Sequence, residues 1–346
     1  MRIVHLILTR RFAGSERYAV ELANAQAQAG HEVAMVLRRV ATEDRPDAIA
    51  HRLDPAVRVE SVGLLSPIWQ ARRIVRRLHP DVAHAHLGDA CLVLHGLSGE
   101  CLRVASLHVA YKARQHAGLD ALIAIAPWQL PAIPEAMRAH SVQIDNWTCV
   151  VPESPDARER IRAEARIAPD AFVFGTLGRV EHSKGLDLLI EAWKRAALPA
   201  DARLVIVGQG EASEALRKAA PREVVMPGFV SAPQDWLAAF DVFISAARRE
   251  PFGLVLLEAM NARLPILSTA SEGARHLSEV IGAPLLALED PDALACALRE
   301  AHALRPARRS YPMERFSIDA RVAEIERFYL RELATPGKSF ARAEAS

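Results

Sequence analysis

The sequence is short of cysteine, of aromatic residues and of net charge. Its four cysteines (Cys91, Cys101, Cys149, Cys296) lie far apart in 346 residues, with no CxxC pair and no histidine at finger spacing. This excludes a disulfide framework and a zinc finger, and free buried thiols are expected. Aromatics are only 5%, too few for an all-β sandwich. Lys+Arg total 43 and Asp+Glu 42, a net charge of +1, so no global field favours nucleic acid as a partner. No run of about 18 apolar residues occurs, and the opening MRIVHLILTRR is charged too early for an export signal. The expected location is cytoplasmic, at most touching the inner face of a membrane.

What is present is a regular alternation of short apolar runs and amphipathic stretches, the pattern of parallel strands joined by crossover helices. In the first half, strands are expected at 2–8, 33–37, 57–62, 82–85, 103–107 and 122–126, with helices at 15–29, 67–78, 89–98 and 128–139. Ser15 is the expected N-cap of the first helix and Gly30 its C′ residue. A polar, proline-punctuated stretch (VPESPDARERIRAEARIAPD) then separates a second series. Its strands are expected at 172–177, 203–207, 224–226, 242–245 and 265–268, and its helices at 185–197, 212–219, 233–240, 253–262 and 291–304. The division is therefore 1–150 as a first Rossmann-like domain, 151–170 as linker and 171–312 as a second one. A terminal helix spans 313–333, and 334–346 is a flexible tail. In doubly wound sheets ligands bind beyond the carboxyl ends of the strands, which makes a central cleft between the halves the expected site.

The most informative segment is Glu250-Pro-Phe-Gly-Leu-Val-Leu-Leu-Glu258-Ala-Met. Glu258 stands in an otherwise apolar helix, where a carboxylate needs a salt bridge or a hydroxyl-bearing ligand. Glu250 falls just after a strand. Phe252, Gly253 and Leu254 open the helix, whose free N–H groups and positive dipole end suit a phosphate. A second cluster is Gly178-Arg179-Val-Glu-His-Ser-Lys184-Gly185, also at a strand end, followed by the glycine pair Gly208 and Gly210 and the turn Met226-Pro-Gly228-Phe229. In the first half stand Ala13-Gly14-Ser15-Glu16, the His84-Ala-His86 pair and His108, each near a strand end.

Taken in order, these motifs resemble the family-4 retaining glycosyltransferases of the GT-B fold (glycosyl transferases group 1) over nearly the whole chain. The resemblance implies two facing Rossmann-like domains and a terminal helix crossing back onto the first. It implies an anomer-retaining, metal-independent transfer from a nucleotide sugar, a UDP-sugar before a GDP-sugar, with no cofactor. Arg179 and Lys184 would grip the donor diphosphate with the Phe252, Gly253 and Leu254 amides. Glu250 and His108 would hold the sugar, Glu258 the ribose, and Met226 and Phe229 the base, while Gly14, Gly178 and Gly208 bring backbone close to the donor. Two departures stand out: Ala13 replaces the first glycine of a Gly-Gly loop, and Asp145-Asn146-Trp147 stands where the family has a proline-asparagine-glycine run. By family analogy the acceptor is a glycan or glycolipid of a bacterial surface polysaccharide.

The segment Ala71–Leu78 reads as a basic amphipathic helix. Arg72, Arg73, Arg76 and Arg77 are expected to form one cationic face, either solvated or set against anionic lipid headgroups. Two rival readings are kept: a sugar-nucleotide epimerase or disaccharide phosphorylase on the same scaffold, and a two-domain protein that binds a ligand without chemistry.

Overall fold

The computed structural model describes residues 1–10, 12–149 and 151–335. Its contacts divide the chain into two units. Met1–Trp147 folds with the segment that begins at Phe316, and Thr148–Arg315 forms the other.

The first unit is built on a seven-stranded parallel sheet: β1 (Arg2–Ile7), β2 (Glu32–Arg38), β3 (Arg58–Val62), β4 (Val82–His86), β5 (Leu102–Leu107), β6 (Ala121–Ala124) and β7 (Ser141–Gln143), in the order β3-β2-β1-β4-β5-β6-β7. One sheet face carries an apolar core in which Val4, Leu6, Ala83, Ala85, Ala105 and Leu107 alternate inward, as the two-residue period of strands requires. On the other face Ile7, Val33, Met35 and Leu37 pack under Ala19, Val20 and Ala23 of the helix Gly14–Gln28. The last helix, Ile318–Leu333, packs beside that helix. Its Glu332 lies 2.8 Å from His140 and its Tyr329 is fully buried.

The second unit repeats the plan on five parallel strands: β8 (Phe172–Leu177), β9 (Ala202–Val207), β10 (Val224–Gly228), β11 (Val242–Ser245) and β12 (Ile266–Ser268), in the order β10-β9-β8-β11-β12. Phe174, Leu204, Ile206 and Ile244 meet Leu189, Ile190 and Trp193 in its core. Both sheets therefore contain the order 3-2-1-4-5, which the first extends by β6 and β7, and each has one place where consecutive crossovers leave in opposite directions: β1/β4 in the first, β8/β11 in the second.

Several expectations are corrected. The linker 151–170 contains a helix, Ala157–Glu164, that belongs to the second unit. It is anchored by buried Arg162, which donates to the Ala239 carbonyl and to Asp241. The helix expected at 128–139 breaks into a 3₁₀ turn, Pro127–Ala132, and a single turn, Glu135–Arg138, because Pro131 and Pro134 interrupt the backbone ladder. The N-cap of the first helix is Ala13, not Ser15, and the Glu16 carboxylate accepts the Ala13 N–H at 3.1 Å. Cys91 and Cys101 are buried thiols, but Cys296 is exposed. The expected tail from residue 336 on lies outside the described residues, as do Arg11 and Val150.

The four arginines of the helix Pro67–Leu78 do not form one free cationic face. Arg72 donates to the Leu92 and Val93 carbonyls at 2.7 and 3.0 Å, at the end of the helix Gly88–Leu94. Arg76 binds the Gly96 carbonyl and Glu100, and Arg77 binds Glu60. Neither Arg72 nor Arg73 has a carboxylate partner among the described residues, and Arg73 stacks on the Trp69 ring at 4.8 Å. No helix among them is long and apolar enough to cross a membrane.

Candidate active site

In the second unit the predicted ionic residues converge at the β8/β11 switch point, where a doubly wound sheet opens a crevice beyond its carboxyl edge. The chain leaves β8 through Gly178 and Arg179, makes a 3₁₀ turn at His182–Lys184 and enters the helix Leu186–Ala196. It leaves β11 through Ala246 and Ala247 to Glu250 and enters the helix Leu254–Asn261 behind Gly253. One pocket is lined by Gly178, Arg179, Lys184, Ala247, Glu250 and Val255, among others. Lys184 Nζ lies 2.6 Å from Glu250 Oε2, a pair that is largely shielded, while the Arg179 side chain is 68% exposed and bridges to Glu181 at 3.0 Å. The first helical carbonyl, that of Gly253, accepts from Leu256 and Leu257. The Leu254 and Val255 amides precede this ladder and face the same end, as the first N–H groups of any helix do.

Residues that the sequence did not single out fix this geometry. The Ser183 carbonyl accepts the amides of Arg248 and Arg249, tying the loop after β8 to the loop after β11. Arg248 also donates to the His182 carbonyl, to both oxygens of Asp187 and to Glu289. Those hydrogen bonds raise its pKa further and lower that of Asp187. Behind Glu250, the Gly273 N–H donates to the Glu250 carbonyl at 2.7 Å, and a Cβ on Gly273 would meet the Phe252 carbonyl oxygen at 2.2 Å. Thr269 holds the Ala247 carbonyl at 2.8 Å. Gly208 has φ +132°, and a side chain there would meet the Gly178 oxygen at 1.8 Å. Glycine at 208 is thus needed for the β8 and β9 loop mouths to touch.

Three assignments change in detail. Glu258 is only partly buried, so it is not a carboxylate sealed in a core. The stretch read as a turn at Met226–Phe229 is strand as far as Gly228, with a register shift after Val225. Met226 packs against the core while Phe229 is 60% exposed. Lys184 and Glu250, given separate roles by the sequence, face each other directly.

In the first unit, Gly14 opens the first helix, and His108 follows β5 with only 7% exposure. His108 belongs to a buried set with His5, His84 and His86. His5 is opposite His84 in the β1/β4 register, and His86 opposite Ser106 in the β4/β5 register. All four rings share one sheet face. Burial holds the His5 pKa down at about 4 and that of His108 at about 3, and pushes His84 and His86 well below the ordinary value, so all are neutral near pH 7. Trp147, the departure from the family's glycine, is buried, stacks on Tyr18 and donates to Glu21 at 2.7 Å.

Two family models match adjoining parts of the chain: Glycosyltransferase Family 4 over residues 12–173 and Glycosyl transferases group 1 over residues 171–303. The chain belongs to this family of glycosyltransferases. It is similar to the lipopolysaccharide core biosynthesis glycosyltransferase LpsE of Rhizobium meliloti, with 27% identity covering 79% of this chain and 80% of that protein. It is also similar to the D-inositol 3-phosphate glycosyltransferase of Pseudarthrobacter chlorophenolicus, with 28% identity covering 75% and 74%. Among solved structures, HepE from Anabaena, crystallised with UDP and glucose, superposes with a TM-score of 0.81 at 18% identity, covering 96% of this chain and all of HepE. The glycosyltransferase fold of both units is thus the GT-B one.

Proposed function

We propose that this glycosyltransferase moves a sugar from a nucleotide sugar, a UDP-sugar before a GDP-sugar, to a glycan or glycolipid of a bacterial surface polysaccharide such as lipopolysaccharide. The observation that carries the reading is the meeting of Arg179, Lys184 and the amides that begin helix Leu254–Asn261 at one switch point. Two cations and a helix N-terminus are what a departing diphosphate requires, and they supply its charge stabilisation without a metal ion. The core-synthesis role of LpsE and the UDP bound to HepE support the acceptor class and the base.

In this reading the diphosphate settles against Arg179 and Lys184, with Gly178 and Gly208 letting backbone approach it. Glu250 fixes the Lys184 ammonium and takes a hydroxyl of the sugar, Glu258 takes the ribose, and exposed Phe229 rather than Met226 meets the base. Gly14 and His108 serve the substrate side of the first unit. The bond from the anomeric carbon to the diphosphate oxygen breaks and an acceptor oxygen bonds on the same face. The acceptor's proton passes to the leaving phosphate, so configuration is retained. Incubation with UDP-sugars and lipopolysaccharide core oligosaccharide, followed by NMR of the new anomeric proton, tests this. An inverted product removes retention, and turnover of donor without acceptor favours an epimerase. Contact with anionic lipid is assigned in this reading to exposed Leu64, Leu65 and Trp69 with Arg73.

A further inference from the structure

The four buried histidines form more than a packed core. Seven of their eight ring nitrogens have a hydrogen-bond partner. His84 uses both of its nitrogens, Nδ1 with the Tyr329 hydroxyl at 2.6 Å and Nε2 with Ser106 Oγ at 2.9 Å. The other three rings make a line. His5 Nε2 meets Gln26 Oε1 at 2.8 Å, His5 Nδ1 meets His86 Nε2 at 3.1 Å, and His86 Nδ1 meets His108 Nε2 at 3.1 Å. His108 Nδ1 is the single nitrogen left without a partner among the described residues.

A neutral imidazole has one N–H and one lone pair, and an amide oxygen only accepts. The first link therefore decides the rest. Gln26 Oε1 requires the proton of His5 on Nε2, which leaves His5 Nδ1 to accept. His86 must then donate from Nε2 and accept at Nδ1, so His108 donates from Nε2. We propose that Gln26 sets the direction of the protons along His5, His86 and His108, so that His108 offers a bare Nδ1 as an acceptor to a substrate hydroxyl. Gln26, His5 and His86 are then positioning residues, and the inference rests on the reading of His108 as a substrate-binding group.

Two further observations support it. Gln26 is fully buried, and its side chain also acts on the Tyr329 hydroxyl in the sense that lowers that group's pKa, as an amide N–H donor does, which leaves Oε1 for His5. Turning that amide over would place N–H against His5 Nε2, reverse every link and put a proton on His108 Nδ1, converting an acceptor into a donor. In addition, His5, His84 and His86 have ring nitrogens within 4.8 Å of one another, close enough to hold a metal ion. A metal needs lone pairs that His5 Nδ1 and His86 Nδ1 already give to neighbouring N–H groups, so the arrangement favours proton order over metal ligation.

Selective ¹⁵N labelling of histidine in the whole chain tests this directly, because long-range ¹H–¹⁵N correlation separates the Nε2–H from the Nδ1–H tautomer. The expected result is Nε2–H for His5, His86 and His108 near pH 7, with His108 assigned by the signal missing in His108→Asn. A proton on His108 Nδ1 in the wild type overturns the proposal, and this needs no variant to fold. Gln26→Met, of similar volume, removes the acceptor. His108, two rings away, is expected to lose its single tautomer, and KM for UDP-glucose to rise about tenfold, the effect of one neutral hydrogen bond. An unchanged His108 tautomer in that variant contradicts the assignment of control to Gln26. If the tautomer is Nε2–H but His108→Ala leaves the KM for UDP-glucose and for acceptor unaltered, the substrate role of His108 falls while the proton order stands.

Discussion

The two sheets share a strand order, yet their switch points are furnished in opposite ways. At β1/β4 the first unit buries neutral histidines in a hydrogen-bond network, with His5, His84 and His86 all fully buried. At β8/β11 the second unit sets charged groups at the mouth of a crevice, from the exposed Arg179 to the largely shielded pair Lys184–Glu250. The same topology thus gives a buried, uncharged cluster in one case and, in the proposed reading, an anion receptor in the other. Fold supplies the crevice, and the side chains at the strand ends decide its chemistry.

The largest expected effect breaks the charged side of this comparison. Lys184→Ala should lower kcat/KM by about 10²–10³-fold, the loss typical of one preorganised charge-stabilising group, while leaving the melting temperature close to that of the wild type. Near-normal transfer by a folded variant would remove Lys184 from the mechanism.

The neutral side breaks with pH. A histidine whose folded pKa lies below its unfolded value near 6.5 binds fewer protons when folded. Its stabilising contribution is therefore complete above that value and is lost as pH falls toward the folded pKa, about 4 for His5 and about 3 for His108. At pH 5 each such ring should cost the fold about 2 kcal/mol relative to neutral pH. Urea unfolding at pH 7.5 and 5.0 measures this, with the first unit losing its structure first. A midpoint that does not move contradicts the burial of neutral rings.

Smaller effects sharpen the contrast. Gly273→Ala forces a carbonyl contact behind Glu250 and should weaken UDP binding about tenfold with a modest loss of stability. Glu258→Gln should weaken UDP binding about tenfold by calorimetry, the worth of one charged hydrogen bond, without changing kcat as strongly. Trp69→Ser should reduce cosedimentation with anionic vesicles about tenfold, in line with losing one buried aromatic, and leave transfer to a soluble acceptor unchanged.

Local pattern made most of the fold legible, because continuous apolar runs such as Phe172–Leu177 and Val242–Ser245 leave no alternative to a buried parallel strand. The short edge strand Ser141–Gln143 escaped notice because its residues are only half-buried and carry no alternation. Arg179, Lys184, Glu250 and Gly253 were visible as types at strand ends. The pairing of Lys184 with Glu250, the clamp made by Arg248 and the support from Gly273 were not, since each joins segments far apart in sequence. His5 is one polar residue in an apolar strand that the sequence did not single out, and its meaning depends on the register that places it opposite His84.

The most direct test of the account is calorimetric titration of UDP into the full chain and into the Arg179→Ala/Lys184→Ala double variant. The account predicts salt-sensitive binding by the wild type that falls at least a hundredfold in the double variant, whose fold is otherwise retained. Equal affinity in the two proteins would contradict the placement of a diphosphate at the β8/β11 switch point.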